Sequence, residues 1–313
     1  MRIEDEDTKN KIQKHGLLKL YIKRKLAIAI FMVLVLSVTS VIVDSNFINS
    51  IFTSITADAA NSNVTIVTKN KVKYVKFKKK TYKVINVKGG DLSGTRKKNV
   101  AVDIGYGERV YWGLTNKYGQ LIYVIADKIT LQDEEIEKVN SDGRYYDDEA
   151  KVKGTEREDL DEGHVIADSL GGVSNAYNIT PQNSTLNRYG DQAYMEKIIR
   201  DAGGCKNFIA TITYPDTKTQ IPSHYNYKYE LNGESVEDDF DNVDPDVVNA
   251  TITPEPTSDK SDEAKELKKV DTNGNGKVTI AEAKAAGFKM PITKEHWLYK
   301  YMTDGDGDGM VGE

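Results

Sequence analysis

One cysteine, Cys205, stands in 313 residues. A single thiol excludes an internal disulfide and every zinc pattern built on paired cysteines. Such scarcity suits an exported chain, although an intracellular one can share it. Histidine is almost as rare, with four, so no His-rich metal tract exists. An excess of positive charge is also lacking. The 43 Lys and Arg against 48 Asp and Glu leave −5, which excludes a uniformly basic nucleic-acid coat. The charge is unevenly spread, so a local polyanion site stays open. The length suits one mid-sized domain and a small one.

Residues 1–25 begin acidic and turn basic. Leu26 to Val43 is an uncharged apolar run of 18 residues, close to a bilayer span. Its basic flank predicts an N-terminus held in the cytoplasm. Two readings stay open: a transmembrane anchor, or a signal peptide cut after the small residues of Ala57-Asp58-Ala59. On either, the remainder lies outside the cytoplasm, at the cell membrane or secreted.

Residues 61–98 form a lysine-rich segment in which β-branched and aromatic residues alternate with lysines, the pattern of strands with one charged face. That face suits nucleic acid, an anionic cell wall, or solvent alone. Asn99 to Thr130 predicts a hairpin, with strands at Arg109–Trp112 and Leu121–Ile125 and a turn at Asn116–Gly119. Leu131 to Val139 is acidic and predicts a short helix. Phe208–Tyr214 and Tyr225–Tyr229 read as strands, with Asn232-Gly233 as a turn. Residues 243–262, acidic and carrying Pro245, Pro254 and Pro256, read as a linker.

The chemistry concentrates between Asp159 and Glu196. His164-Val165-Ile166-Ala167 reads as a strand end, Leu170-Gly171-Gly172 as a turn, and Asn178-Ile179-Thr180 as a second strand broken by Pro181. Ser184 to Ala202 reads as a helix, with Ile198, Ile199 and Ala202 on an apolar stripe. Hydrolysis of a phosphodiester needs a base for water and a cation for the charge that builds on phosphorus. A neutral imidazole suits the first task. An amide oxygen is a hard ligand suited to magnesium.

Three blocks in order then carry a resemblance: Asp161-Glu162-Gly163-His164, Asn178-Ile179-Thr180-Pro181-Gln182, and Leu186-Asn187 followed by Glu196. The run resembles the DNA/RNA non-specific endonuclease family, the ββα-metal nucleases with a DRGH motif. The resemblance implies an α+β fold, with a ββα-metal (His-Me finger) core on an antiparallel sheet over residues 99–242. It implies His164 as general base, Asn187 as the direct ligand of Mg2+ or Mn2+, and Glu196 holding metal-bound water. Asn178 and Gln182 would support the site. Both DNA and RNA would be cut, leaving 5′ phosphates, in a bacterial setting; no protein partner is implied. Glu162 departs from the family's Arg, and Arg144 is the first substitute, ahead of Arg157 and Arg188. Asn187 and Glu196, nine residues apart, are out of phase on one helix, so Gly190 should mark a bend.

Residues 263–313 predict a small helical calcium-binding domain. Asp271, Asn273, Asn275, Lys277 (through its carbonyl), Thr279 and Glu282 match an EF-hand loop, with Gly276 at the sharp turn and helices at 262–270 and 280–286. Asp304, Asp306, Asp308, Met310 and Glu313 resemble the shortened Excalibur-type Ca2+ loop, with Gly312 where that motif has Cys. Trp297, Leu298 and Tyr301 would form the apolar side of its entering helix. Two other functions stay open: a nuclease restricted to DNA uptake or toxin-like use, and a non-catalytic, calcium-dependent surface binder on a nuclease scaffold, which Glu162 favours.

Overall fold

The computed structural model describes residues 63–252 and 260–312. The N-terminal region 1–25, the apolar run 26–43, the Ala57–Ala59 site, residues 253–259 and Glu313 lie outside them. Among the described residues no helix is long and apolar enough to cross a membrane.

Alternating side chains build one nine-stranded sheet. Its strands are β1 (Thr65–Lys69), β2 (Val72–Phe77), β3 (Lys80–Val84), β4 (Val100–Asp103), β5 (Tyr111–Thr115), β6 (Leu121–Ile129), β9 (Cys205–Thr213), β10 (His224–Leu231) and β11 (Glu234–Asp241), in that spatial order. Every pairing is antiparallel except β3 with β4, so the sheet is mixed rather than purely antiparallel. The lysine-rich strands β1–β3 belong to this sheet, not to a segment of their own. Asn232 and Gly233 both have positive φ, which closes the β10–β11 hairpin as a type I′ turn. Glu234–Asp241, whose second half is acidic, is thus an edge strand.

Cross-strand rows define the two faces. Val102, Gly113, Val124, Ala210 and Tyr227 lie in one row, from β4 to β10. That face packs against Ile166, Leu170, Leu186, Met195 and Ile199. The opposite face gathers Val75, Phe77, Tyr82, Ala101, Trp112, Leu114 and Ile125. Each such large side chain, fully buried, contributes about 1.5–3 kcal/mol.

A small module sits on the first face. β7 (Leu160–His164) pairs antiparallel with β8 (Ile179–Asn183), His164 opposite Ile179. Pro181 does not break this strand; it lies within it, as a two-stranded ribbon allows where no ladder donor is required. The predicted single helix is two, α1 (Ser184–Tyr189) and α2 (Asp191–Asp201). Asn183 caps α1 by accepting the Leu186 N–H, and Gly190 between the helices is extended. The expected helix over 131–139 is instead a set of turns.

Beyond the sheet, α3 (Pro245–Ile252) replaces part of the expected linker. Buried Asn249 locks it by donating to the Lys289 carbonyl and accepting the Lys289 N–H. The tail has its own core of Val270, Val278, Phe288, Met290, Ile292, Leu298 and Val311. α4 (Lys260–Val270) and α5 (Ile280–Ala285) flank the first acidic loop, and the short strands β12 (Ile292–Thr293) and β13 (Met310–Val311) pair beside the second. The helix expected to enter that second loop is only a 3-10 turn, Tyr299–Tyr301. The tail reaches the β7–β8 and α1–α2 module: Lys284 Nζ lies 2.5 Å from Asp191, and a Cβ on Gly190 would come within 2.8 Å of the Met290 carbonyl.

Candidate active site

His164 closes β7, with its side chain 12% exposed. Its Nε2 lies 3.3 Å from Ser174 Oγ and 3.4 Å from Asp168 Oδ2. Burial pushes the imidazole below its ordinary value; Asp168 works against this, and the Arg144 charge works with it. The ring is therefore neutral at pH 7, the form a base requires.

Asn187 reaches the same end of β7 from α1. Its Nδ2 donates to Asp161 Oδ2 at 3.1 Å. Its Oδ1 stands over Gly163, where a Cβ would come 3.2 Å from it and 2.4 Å from Gln182 Oε1. Glycine at 163 is thus required for close approach. Asp161 also takes two bonds from Arg188, at 2.8 and 2.7 Å, and one from Ser184 at 3.0 Å. Burial alone would raise this carboxyl, but Arg188, Asn187 and Ser184 hold it below its ordinary value.

Glu196 comes from α2. Burial pushes its carboxyl up to about 7, with the Asp168 charge adding to the rise and Gln192 and Arg200 opposing it. Gln192 joins the parts. Its Nε2 donates to Glu196 Oε1 at 2.7 Å and to the His164 carbonyl at 3.2 Å, and its Oε1 accepts from Tyr227 at 2.8 Å. The helix break at Gly190 removes the phase conflict between Asn187 and Glu196, because each sits on its own helix.

Arg144 pairs with Glu149 and its charge is felt at His164. The next residue, Tyr145, donates its N–H to Asp168 Oδ1 at 3.1 Å, so Asp168 ties the Arg144 loop to His164. Arg157 is held instead by Asp159, and Arg188 by Asp161. Glu162 at the motif position is answered by Lys151 at 3.2 Å. Asn178 is spent elsewhere: fully buried, it accepts the Ile166 N–H and donates to the Ile166 and Val173 carbonyls. Its amide is thus committed to clamping the loop behind His164.

Two residues escaped the sequence reading, Asp168 and Gln192. Their signals were the spacing: Asp168 four after His164, and Gln192 four before Glu196 on one helix face. A cavity of about 330 Å3 between β1 and β5–β6, lined by Ile66, Arg109 and Trp112 among others, includes none of the site residues.

In the acidic loops, Asp271 accepts the N–H groups of Gly274, Asn275 and Gly276, and Asp304 those of Gly307 and Gly309. Glu282 bonds Thr272, Asn273 and Thr279. Carboxylate oxygens of Asp304, Asp306 and Asp308 lie within 4.8 Å of one another.

Residues 128–233 match the family model described as DNA/RNA non-specific endonuclease. The chain also resembles two crystal structures of NucA from Streptococcus agalactiae. With the one holding no metal it shares 14% identity at a TM-score of 0.33, over 61% of this chain and 89% of that one. With the magnesium-bound one the values are 13%, 0.33, 61% and 90%. No curated protein matches the chain. The family match is confined to residues 128–233, and by it the chain is an enzyme, a nuclease that hydrolyses phosphodiester bonds.

Proposed function

We propose that the protein is a sugar-non-specific endonuclease that cuts DNA and RNA with His164 as general base and one divalent cation, Mg2+ or Mn2+. What supports this is the family match over residues 128–233 together with a neutral imidazole on β7, an amide oxygen standing over the adjacent Gly163, and a buried carboxyl, Glu196, that Gln192 links to the His164 carbonyl. The donor set fits a hard cation. Asn187 Oδ1 accepts no hydrogen bond among the described residues, and the Asp168 charge adds to the cost of ionising Glu196. Asn187 would be the direct ligand, with Glu196 orienting water beside it. Bound there, Mg2+ would supply neutralisation of the charge on the phosphorus and leaving oxygens.

The chain's own residues do the rest. His164 Nε2 faces Ser174 and Asp168, so it holds the ring proton and leaves Nδ1 as the base. Nδ1 takes the proton of the attacking water, and Asp168 steadies the imidazolium. Arg144 contacts the phosphate in place of the family's motif Arg. The bond to the 3′ oxygen breaks and the product keeps a 5′ phosphate. Base edges play no part, because the groups address phosphate. The test is digestion of plasmid and RNA with and without Mg2+, beside His164→Ala. Cleavage of both that needs Mg2+ and His164 supports the reading; cleavage that survives the substitution overturns it.

We infer further that the tail binds Ca2+ through Asp271, Asn273, Asn275, Lys277, Thr279 and Glu282, and through Asp304, Asp306, Asp308 and Met310. The turns described above support this, since each leading Asp orders its own loop around a common centre. Thermal unfolding with Ca2+ against EDTA tests it. A rise in Tm lost in Asp271→Ala and Asp304→Ala supports it, and no rise contradicts it. Location outside the cytoplasm, through residues 26–43 as anchor or leader, completes the proposal.

A further inference from the structure

Residues 61–90 contain nine lysines and no acidic residue, in a chain whose net charge is −5. All nine are exposed. The strands sort them by face. Val75, Phe77 and Tyr82 are buried on one side. The other side presents Lys69, Tyr74, Lys76 and Lys83. Tyr74 is centred in this group: it pairs across strands with Val67 and with Lys83, and Lys76 lies two residues along its own strand.

The register says which side this is. Lys83 pairs with Val100 of β4, and Val100 belongs to the core beneath the His164 module. The lysine face is therefore, among the described residues, the exposed continuation of the sheet face that carries the candidate site. The chain between them is continuous. After β3, Ile85 and Val87 pack on that core, and Gly89 and Gly90 press against Tyr146, two residues from Arg144.

We propose that this face is a second contact for the substrate, holding a single-stranded or locally unpaired stretch of polynucleotide whose phosphates lie along Lys69, Lys76 and Lys83 and one of whose bases stacks on Tyr74. This rests on the nuclease reading above. Lys69, Lys83 and Lys76 fall on three successive rows of this face, which repeat at about 6.8 Å along the strands with steps of about 4.8 Å between strands, the scale of the phosphate spacing of an extended single strand. A half-buried aromatic among lysines is the platform that sequence-tolerant single-strand binders use. An anionic lipid surface would want an apolar rim to insert, and among the described residues this face offers only the strand residues Val67 and Val72, both half-buried.

The test uses the full chain and a labelled 20-nucleotide oligo-dT in EDTA, where cleavage does not interfere. Binding is followed by anisotropy across a salt series. Three lysine contacts predict that Lys69→Gln/Lys76→Gln/Lys83→Gln lowers the log–log salt slope by about 2 and weakens binding about 100-fold at ~0.1 M salt. Tyr74→Ala should weaken binding by roughly 5- to 100-fold and leave the slope unchanged. An unchanged slope in the triple variant overturns the proposal. Oligonucleotide binding retained while binding to phosphatidylglycerol vesicles is lost overturns it in favour of a lipid surface. If the wild type cleaves nothing with Mg2+ yet the slope change appears, the nuclease reading fails and this face stands. If cleavage holds and the slope does not move, this face alone fails.

Discussion

Asp161 Oδ2 accepts a hydrogen bond from Asn187 Nδ2 at 3.1 Å, and that bond decides which end of the amide faces Gly163. A carboxylate accepts only, so the nitrogen must turn to it and the oxygen away. Asp161→Ala frees the amide to rotate and removes the partner of Arg188. Loss of such an orienting group weakens metal binding by about 10- to 100-fold. The Mg2+ concentration giving half-maximal cleavage should rise by that factor, with much of the rate recovered at saturation. An unchanged Mg2+ requirement would show that Asn187 is not the ligand.

Glu196 sets a pH dependence of stability in the metal-free protein. Its carboxyl is raised to about 7 in the folded state, mainly by burial. Between the unfolded value near 4.5 and about 7 the folded state holds a proton that the unfolded state has released. Stability is thus highest below 4.5 and falls as pH rises through 7, by about 3 kcal/mol at most. His224, raised despite burial by its bonds to Asp241 and Asp239, contributes with the same sign. The comparison with Glu196→Gln isolates the carboxyl. The wild-type Tm in EDTA should fall from pH 5 to pH 8 more than that of the variant; parallel curves would contradict the assignment.

The Arg144 charge holds the His164 imidazole down, and Arg144 is the proposed phosphate contact. Arg144→Gln removes a positive charge beside the ring, so the imidazole pKa must rise. The acid limb of kcat/KM should move to higher pH, and kcat/KM at its plateau should fall about 10- to 100-fold, the scale of one lost charge-assisted contact. NMR titration of the ring proton reads the first effect separately from the second. A downward shift would show that Arg144 does not act on His164.

Asn178 is expected to matter for folding and not for chemistry. Asn178→Ala leaves the Ile166 N–H and the Ile166 and Val173 carbonyls buried without their partner. Each orphaned group costs about 1–3 kcal/mol. Denaturant unfolding should show a loss of several kcal/mol, while the folded fraction keeps its Mg2+ requirement. A folded, stable variant with altered metal dependence would return Asn178 to the site.

Much of this was legible in advance, and the misses share a cause. The β10–β11 turn, the hairpin strands and the break at Gly190 follow from local chemistry: Asn-Gly, alternation, and a glycine between two helical runs. Local signals failed where a distant partner decides. Nothing near Pro181 says that it faces away from its only ladder. Nothing near Pro245 says that Asn249 will find the Lys289 backbone forty residues on. The acidic second half of β11 carries no strand signal of its own, because its neighbour β10 supplies the apolar residues. At the site, His164, Asn187 and Glu196 were readable as types in order. Asp168 was not, because its role comes from a loop that returns to place it beside the ring and beneath Tyr145.

The central claim is that His164 and Asn187 act on one and the same bond. Single-turnover cleavage of a plasmid with saturating Mg2+ by the wild type, His164→Ala, Asn187→Ala and the double variant tests it most directly. Groups that work as a unit are not additive. The account predicts that each single variant drops close to background and that the double variant is no slower than the worse single one. Wild-type rates in His164→Ala, or losses that simply multiply in the double variant, would contradict it.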